Sequence, residues 1–173
     1  MRVIKKIYDG IGLLSEWSGR VARFVIIILI VIITYEVMMR YVFNAPTFWQ
    51  FDISCMLEAT FACVGFAYLH YHRGHVRVDV IYTRFSPKGK LITDIVFTLI
   101  FFFPLYFLLT MVFIKDALFA YEIQETTMRT YWYPITWPYK SLVALGFSFL
   151  CLQGIATFLK DVMALAKGGK EPW

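Results

Sequence analysis

The feature that most limits how this chain can fold is a run from Ile95 to Ile114 that contains no charged residue. A hydrocarbon core about 30 Å thick is crossed by roughly 20 apolar residues in a helix, and this run meets that length by itself. Three more runs come close. Ser141 to Leu159 is also free of charge, Phe24 to Phe43 is broken only by Glu36 and Arg40, and Trp49 to Leu69 only by Asp52 and Glu58. The expected fold is therefore an all-α membrane protein of four transmembrane helices, with spans at about 20–43, 48–71, 91–118 and 137–160. All 173 residues read as one membrane domain, since no internal repeat or low-complexity tract marks a second. At 60% apolar residues, the chain is greasier than a soluble fold of this size needs.

The basic residues report orientation. Arg2, Lys5, Lys6, Arg20 and Arg23 precede the first span, and Arg73, Arg77, Arg84, Lys88 and Lys90 separate the second from the third. Lys160, Lys167 and Lys170 close the chain, whereas the opposite side receives only Arg40, Lys115, Arg129 and Lys140. Because cytoplasmic loops carry the excess of Lys and Arg, both termini are expected in the cytoplasm. The net charge of +5 thus reflects topology; no nucleic-acid-binding motif interleaves these residues, and none is expected as a partner. The first apolar run starts too late and lacks the small-residue cleavage site of a signal peptide, so it is expected to stay as an anchor.

The connections carry their own signals. Asn44-Ala45-Pro46 is short enough to force an antiparallel hairpin, since proline cannot continue a helix. The stretch from Tyr121 to Pro138 is mildly acidic and holds Tyr131, Trp132, Tyr133 and Trp137, rings that settle at headgroup level. Before the first span, Val3, Ile4, Ile7, Ile11, Leu14 and Trp17 recur at helical spacing. That stretch reads either as an amphipathic helix on the inner leaflet or, with Gly10, Gly12 and Gly19 each costing about 1 kcal/mol in a helix, as one too weak to form. Pro104 is expected to kink the third span.

Ionisable side chains within spans cost about 2.5 to 3.5 kcal/mol on insertion scales, so each needs a partner or a role. Glu36 and Arg40 stand four residues apart and can pair on one helix face. Glu58 lies about 15 Å into the second span at helical rise, with no base three or four residues away. Together with Asp52 it is expected to meet donors or cations on another helix or another subunit; the alternative is that it stays in the bilayer as the neutral acid. His70, His72 and His75 cluster at one end of a single helix, which suits neither a bis-histidine haem nor a zinc site. Cys55, Cys63 and Cys151 show no metal-ligand spacing. With no phosphate loop, nucleophile elbow or catalytic triad, an enzyme is not expected, and neither is a cofactor.

Two stretches carry a resemblance. Arg40-Tyr-Val-Phe-Asn44-Ala-Pro46 is followed by Trp49 and an acid at Asp52, and Gly65-Phe-Ala-Tyr68 runs into Arg73-Gly-His75-Val-Arg-Val-Asp79. In order and spacing they resemble the small membrane subunit, or Q component, of tripartite ATP-independent periplasmic (TRAP) transporters, and the likeness covers the whole chain. The resemblance implies a multi-pass protein of the bacterial cytoplasmic (inner) membrane. It implies two partners: a large permease subunit, the M component, and an extracytoplasmic substrate-binding protein, the P component. It further implies sodium-driven import of an organic anion such as sialic acid or a C4-dicarboxylate, with sodium and substrate sites on the large subunit and this chain as scaffold. The candidate interface or structural residues are then Glu36, Arg40, Asn44, Trp49, Asp52, Glu58, Gly65, Arg73, His75 and Asp79. In the family pattern the acid after the tryptophan is usually Glu; here it is Asp52, which leaves open whether Asp52 or Glu58 does its work. Other readings are a haem-bearing anchor of a respiratory enzyme and a small multidrug-type exporter built around Glu36.

Overall fold

The computed structural model describes residues 2–72 and 85–167. Helix α1 runs Arg2–Tyr41, α2 Gln50–Tyr71, α3 Pro87–Phe97, α4 Phe103–Glu122 and α5 Trp137–Ala166, with a π-helical turn, Thr98–Phe102, joining α3 to α4. Counting α3 through α4 as one, four helices are long and apolar enough to cross a membrane. Arg73, His75 and Asp79, with the rest of their loop, lie outside the described residues.

Local chemistry explains the helix ends. Asn44 adopts a left-handed backbone (φ 54°) after α1, a conformation asparagine tolerates better than most residues. The reversal lets the Ala45 N–H return to the Met39 carbonyl at 3.0 Å. Asp52 sits in the first turn of α2, where the helix dipole favours negative charge. Ser86 caps α3 by accepting the Gly89 N–H at 3.2 Å, and Pro87 follows at the position where its missing N–H costs nothing.

In the third span a π-helical turn directly precedes the segment that holds Pro104. The backbone widens just before it, and the Phe103 N–H reaches back to the Thr98 carbonyl. A proline ring crowds the carbonyl four residues earlier, here Ile100, and a π turn relieves that crowding without leaving the helix.

Helix α5 is the hub and contacts α1, α2, α3 and α4. Its buried Val143, Phe147 and Leu150 meet Ala59, Cys63 and Phe66 of α2 on one side, and Phe102, Tyr106, Leu109 and Phe113 on the other. Phe147 stacks on Phe113 (ring centroids 4.7 Å apart) and takes Phe66 edge-on at 6.1 Å. At Gly146 the two backbones come so close that a Cβ would lie 2.5 Å from the Cys63 carbonyl carbon. Small residues permit this approach between membrane helices, where close packing replaces the hydrophobic effect.

The N-terminal amphipathic stretch is helical and continues into the first span without a break. At 40 residues, α1 is about 60 Å long at 1.5 Å per residue, twice the hydrocarbon thickness. Gly12 and Gly19, which count against a helix on propensity, are where Tyr71 and Tyr68 of α2 lie against it: a Cβ would meet those rings at 2.7 and 2.4 Å. The Ser15 hydroxyl donates to Gln153 Oε1 of α5 at 2.8 Å, with both residues buried. Lys160 lies over the Tyr8 ring at 4.9 Å. The beginning of α1 and the end of α5 therefore share one end of the molecule, the terminal end; the α1–α2 turn and the α4–α5 loop share the other, the loop end.

Candidate functional site

Two groups of polar ties lie toward the ends of the helices, with Glu58 between them. At the loop end, Glu36 is buried on α1 and gathers the hairpin turn. One carboxylate oxygen accepts from Arg40 Nη2 at 2.9 Å and from Nε at 3.3 Å; the other accepts from the Thr47 N–H at 3.2 Å and from the Thr47 hydroxyl. The acid thus joins the end of α1 to the chain entering α2. Trp49 reinforces the turn by stacking on Tyr35, with centroids 6.1 Å apart. The helical spacing of Glu36 and Arg40 was legible in the sequence; Thr47, eleven residues from Glu36, was not.

Asp52 is 2% exposed and accepts the hydroxyl of Thr130, which belongs to the α4–α5 loop. That loop is a small hairpin. Thr126 and Ile135 pair as an isolated antiparallel bridge, the Thr127 N–H donates to the Pro134 carbonyl at 3.1 Å, and the Thr136 N–H donates to the Glu125 carbonyl at 2.9 Å. Left-handed residues Gln124 (φ 48°) and Tyr133 (φ 50°) let it turn. Its base is held by Lys140 at the start of α5, whose Nζ donates to Asp116 of α4 at 3.0 Å and to Glu125 at 2.6 Å. The Lys140 ammonium holds the Glu125 carboxyl below the usual glutamate range, against the opposing effect of partial burial and with help from Thr136. Between loop, α2 and α5 lies an open cleft of about 700 Å³ bordered by Asp52, Arg129, Tyr139 and Lys140.

At the terminal end, His72 Nε2 meets the Glu16 carboxylate at 2.8 Å, and the His70 ring stacks on Phe102 with centroids 5.0 Å apart. His70 also borders a cavity of about 320 Å³ with Asp94, Thr98, Thr157 and Asp161, beside the π turn. Gly65 faces Ala22 of α1, with room for a methyl group: a Cβ there would sit 3.8 Å away. Glu58 is exposed on α2 and makes no hydrogen bond or ion pair among the described residues.

The structure thus separates the two candidate acids of the second span. Asp52 is tied within the chain, and Glu58 faces outward. Among the described residues no group of three or more His, Cys, Asp or Glu side chains could hold a metal ion. Chemically, the paired groups can lock helices and loop together and neutralise one another's charge.

Compared with known families, residues 29–164 match the model described as tripartite ATP-independent periplasmic transporters, DctQ component. The match takes in the last 13 residues of α1, all of the second and third spanning helices, and α5 up to Ala164. No curated protein sequence gives a significant match.

Proposed function

This chain belongs to the DctQ family, the small membrane component of TRAP transporters, and from that premise we propose that it is the static scaffold on which a large permease subunit moves substrate. The family is one of transporter components and not of enzymes, which sets aside the haem-anchor and multidrug-exporter readings.

In the full proposal, the chain resides in a bacterial cytoplasmic membrane with its terminal end in the cytoplasm. The large M component carries the sodium and substrate sites, and an extracytoplasmic P component delivers an organic anion, either sialic acid or a C4-dicarboxylate. The observation that carries the reading is the family match over residues 29–164, which reaches into each of the four spanning helices. The polar side chains agree with it: Glu36 with Arg40 and Thr47, and Asp52 with Thr130, serve as ties that stiffen the chain. Asn44 and Trp49 support the same hairpin. Orientation rests on the thirteen lysines and arginines assigned to the terminal side against four on the other.

The physical role of such a subunit is to add rigid width in the membrane. Basic side chains that reach the headgroups, and aromatic rings at the interface, resist tilt and sinking, so a partner domain has a fixed frame to move against. The test is reconstitution of the chain, its large permease and its binding protein in liposomes under a sodium gradient. Uptake of labelled anion is expected to need all three proteins. Equal uptake by the permease and binding protein without this chain would refute the scaffold role.

A further inference from the structure

Glu58 is an exposed carboxyl within a membrane-spanning helix. It lies eight residues into α2, about 12 Å along the helix at 1.5 Å per residue, which is well inside a bilayer. A carboxyl at that depth is costly against lipid and is almost always turned toward protein or water. Here it is turned away from the rest of the chain.

Its surroundings suit a helix better than acyl chains. Phe51, Ala62 and Leu69 share the side of α2 that carries Glu58 at helical spacing, with Phe51 and Leu69 exposed. Beginning one turn after Glu58, Phe61, Gly65 and Leu69 form a groove of about 440 Å³ with Gly19, Ala22 and Arg23 of α1. Ala22 on one wall and Ala62 and Gly65 on the other are small and let a third backbone approach closely there. The outward faces of α1 and α4 differ: Ile27, Ile30 and Val31, and Leu105, Leu108 and Val112, present bulky exposed aliphatics, which lipid tails satisfy. A second copy of this chain seated on the same face would bring two Glu58 carboxyls together, and like charges oppose that pairing.

We propose that the α1–α2 groove seats a transmembrane helix of the large permease subunit, which sets a basic or hydrogen-bond-donating side chain against Glu58. The proposal rests on the subunit reading above and adds to it which face is covered and by what chemistry.

The experiment uses the assembled transporter in membranes, with a photo-reactive benzoylphenylalanine replacing Phe61 or Leu69 on the proposed face, or Val31 or Leu108 on the others. Phe61 and Leu69 are expected to give adducts with the large subunit, and Glu58→Lys is expected to abolish them while the chain remains full-length and monodisperse. Glu58→Gln, which keeps the shape, is expected to retain a reduced yield. Adducts only from Val31 or Leu108 would overturn the face and leave the subunit reading intact. So would adducts between two copies of the chain, or none from Phe61 and Leu69 while the large subunit still co-purifies. Adducts insensitive to Glu58→Lys would overturn the charge contact. Failure of the large subunit to co-purify even with the unmodified chain would instead refute the subunit reading itself.

Discussion

Separating Asp52 from Thr130 should loosen the loop end in a measurable way. The carboxylate is 2% exposed and the hydroxyl that donates to it comes from a loop 78 residues away in sequence, so the contact fastens the α4–α5 hairpin to the start of α2. A hydrogen bond to a charged group contributes about 1.5 to 3 kcal/mol, whereas polar contacts measured between membrane helices average about 0.6 and reach about 1.7 kcal/mol. Asp52 lies in the first helical turn, near the interface, and is buried under the loop, so a coupling of about 1 to 2 kcal/mol is expected, at the upper end of the membrane values. The Asp52→Ala change also removes a favourable helix-dipole interaction of about 0.3 to 1 kcal/mol, which a double-mutant cycle cancels. The assay is reversible unfolding in mixed micelles of dodecyl maltoside and dodecyl sulfate for wild type, Asp52→Ala, Thr130→Val and the double variant. Additivity within about 0.3 to 0.5 kcal/mol, the range seen for independent sites, would refute the tie.

Two glycines on α2 and α5 should respond oppositely. Gly146→Ala places a methyl group 2.5 Å from the Cys63 backbone, and such overpacking is expected to cost about 1 to 3 kcal/mol in the same unfolding assay. Gly65→Ala, with 3.8 Å to Ala22, is expected to be neutral or stabilising; equal losses at both sites would contradict the packing described. The Lys140–Glu125 pair predicts a pH effect. Because Lys140 lowers the folded carboxyl pKa of Glu125, its contribution is fully present above the unfolded glutamate value of about 4.3 and is lost as pH falls through the lower folded value. The stability difference between wild type and Lys140→Met should therefore be constant near neutrality and shrink on acidification below that value. A gap that widened in acid would invert the assignment.

The sequence reached the things that the solvent dictates. A bilayer demands long uninterrupted apolar helices, so the number of spans and their antiparallel order could be read from Ile95 to Ile114 and its three companions. The tight turn at Asn44-Ala45-Pro46 and the Glu36/Arg40 spacing are local, within a few residues, and were equally readable. The family resemblance carried by Arg40 to Asp52 and by Gly65 to Asp79 rests on short-range motifs too, although Arg73, His75 and Asp79 lie beyond the described residues.

What only the tertiary structure decided is which sides of these helices meet. A soluble helix advertises its buried face by hydrophobic contrast, but in lipid both faces are apolar and the contrast is gone. Nothing in periodicity therefore marked α5 as the hub, set Tyr68 and Tyr71 against Gly19 and Gly12, or joined Ser15 to Gln153 across 138 residues. The same loss of contrast hid the difference between two acids six residues apart: sequence alone made Asp52 and Glu58 equivalent candidates. It took the fold of the α4–α5 loop to bury the first under Thr130 and the packing of α2 between α1 and α5 to turn the second outward.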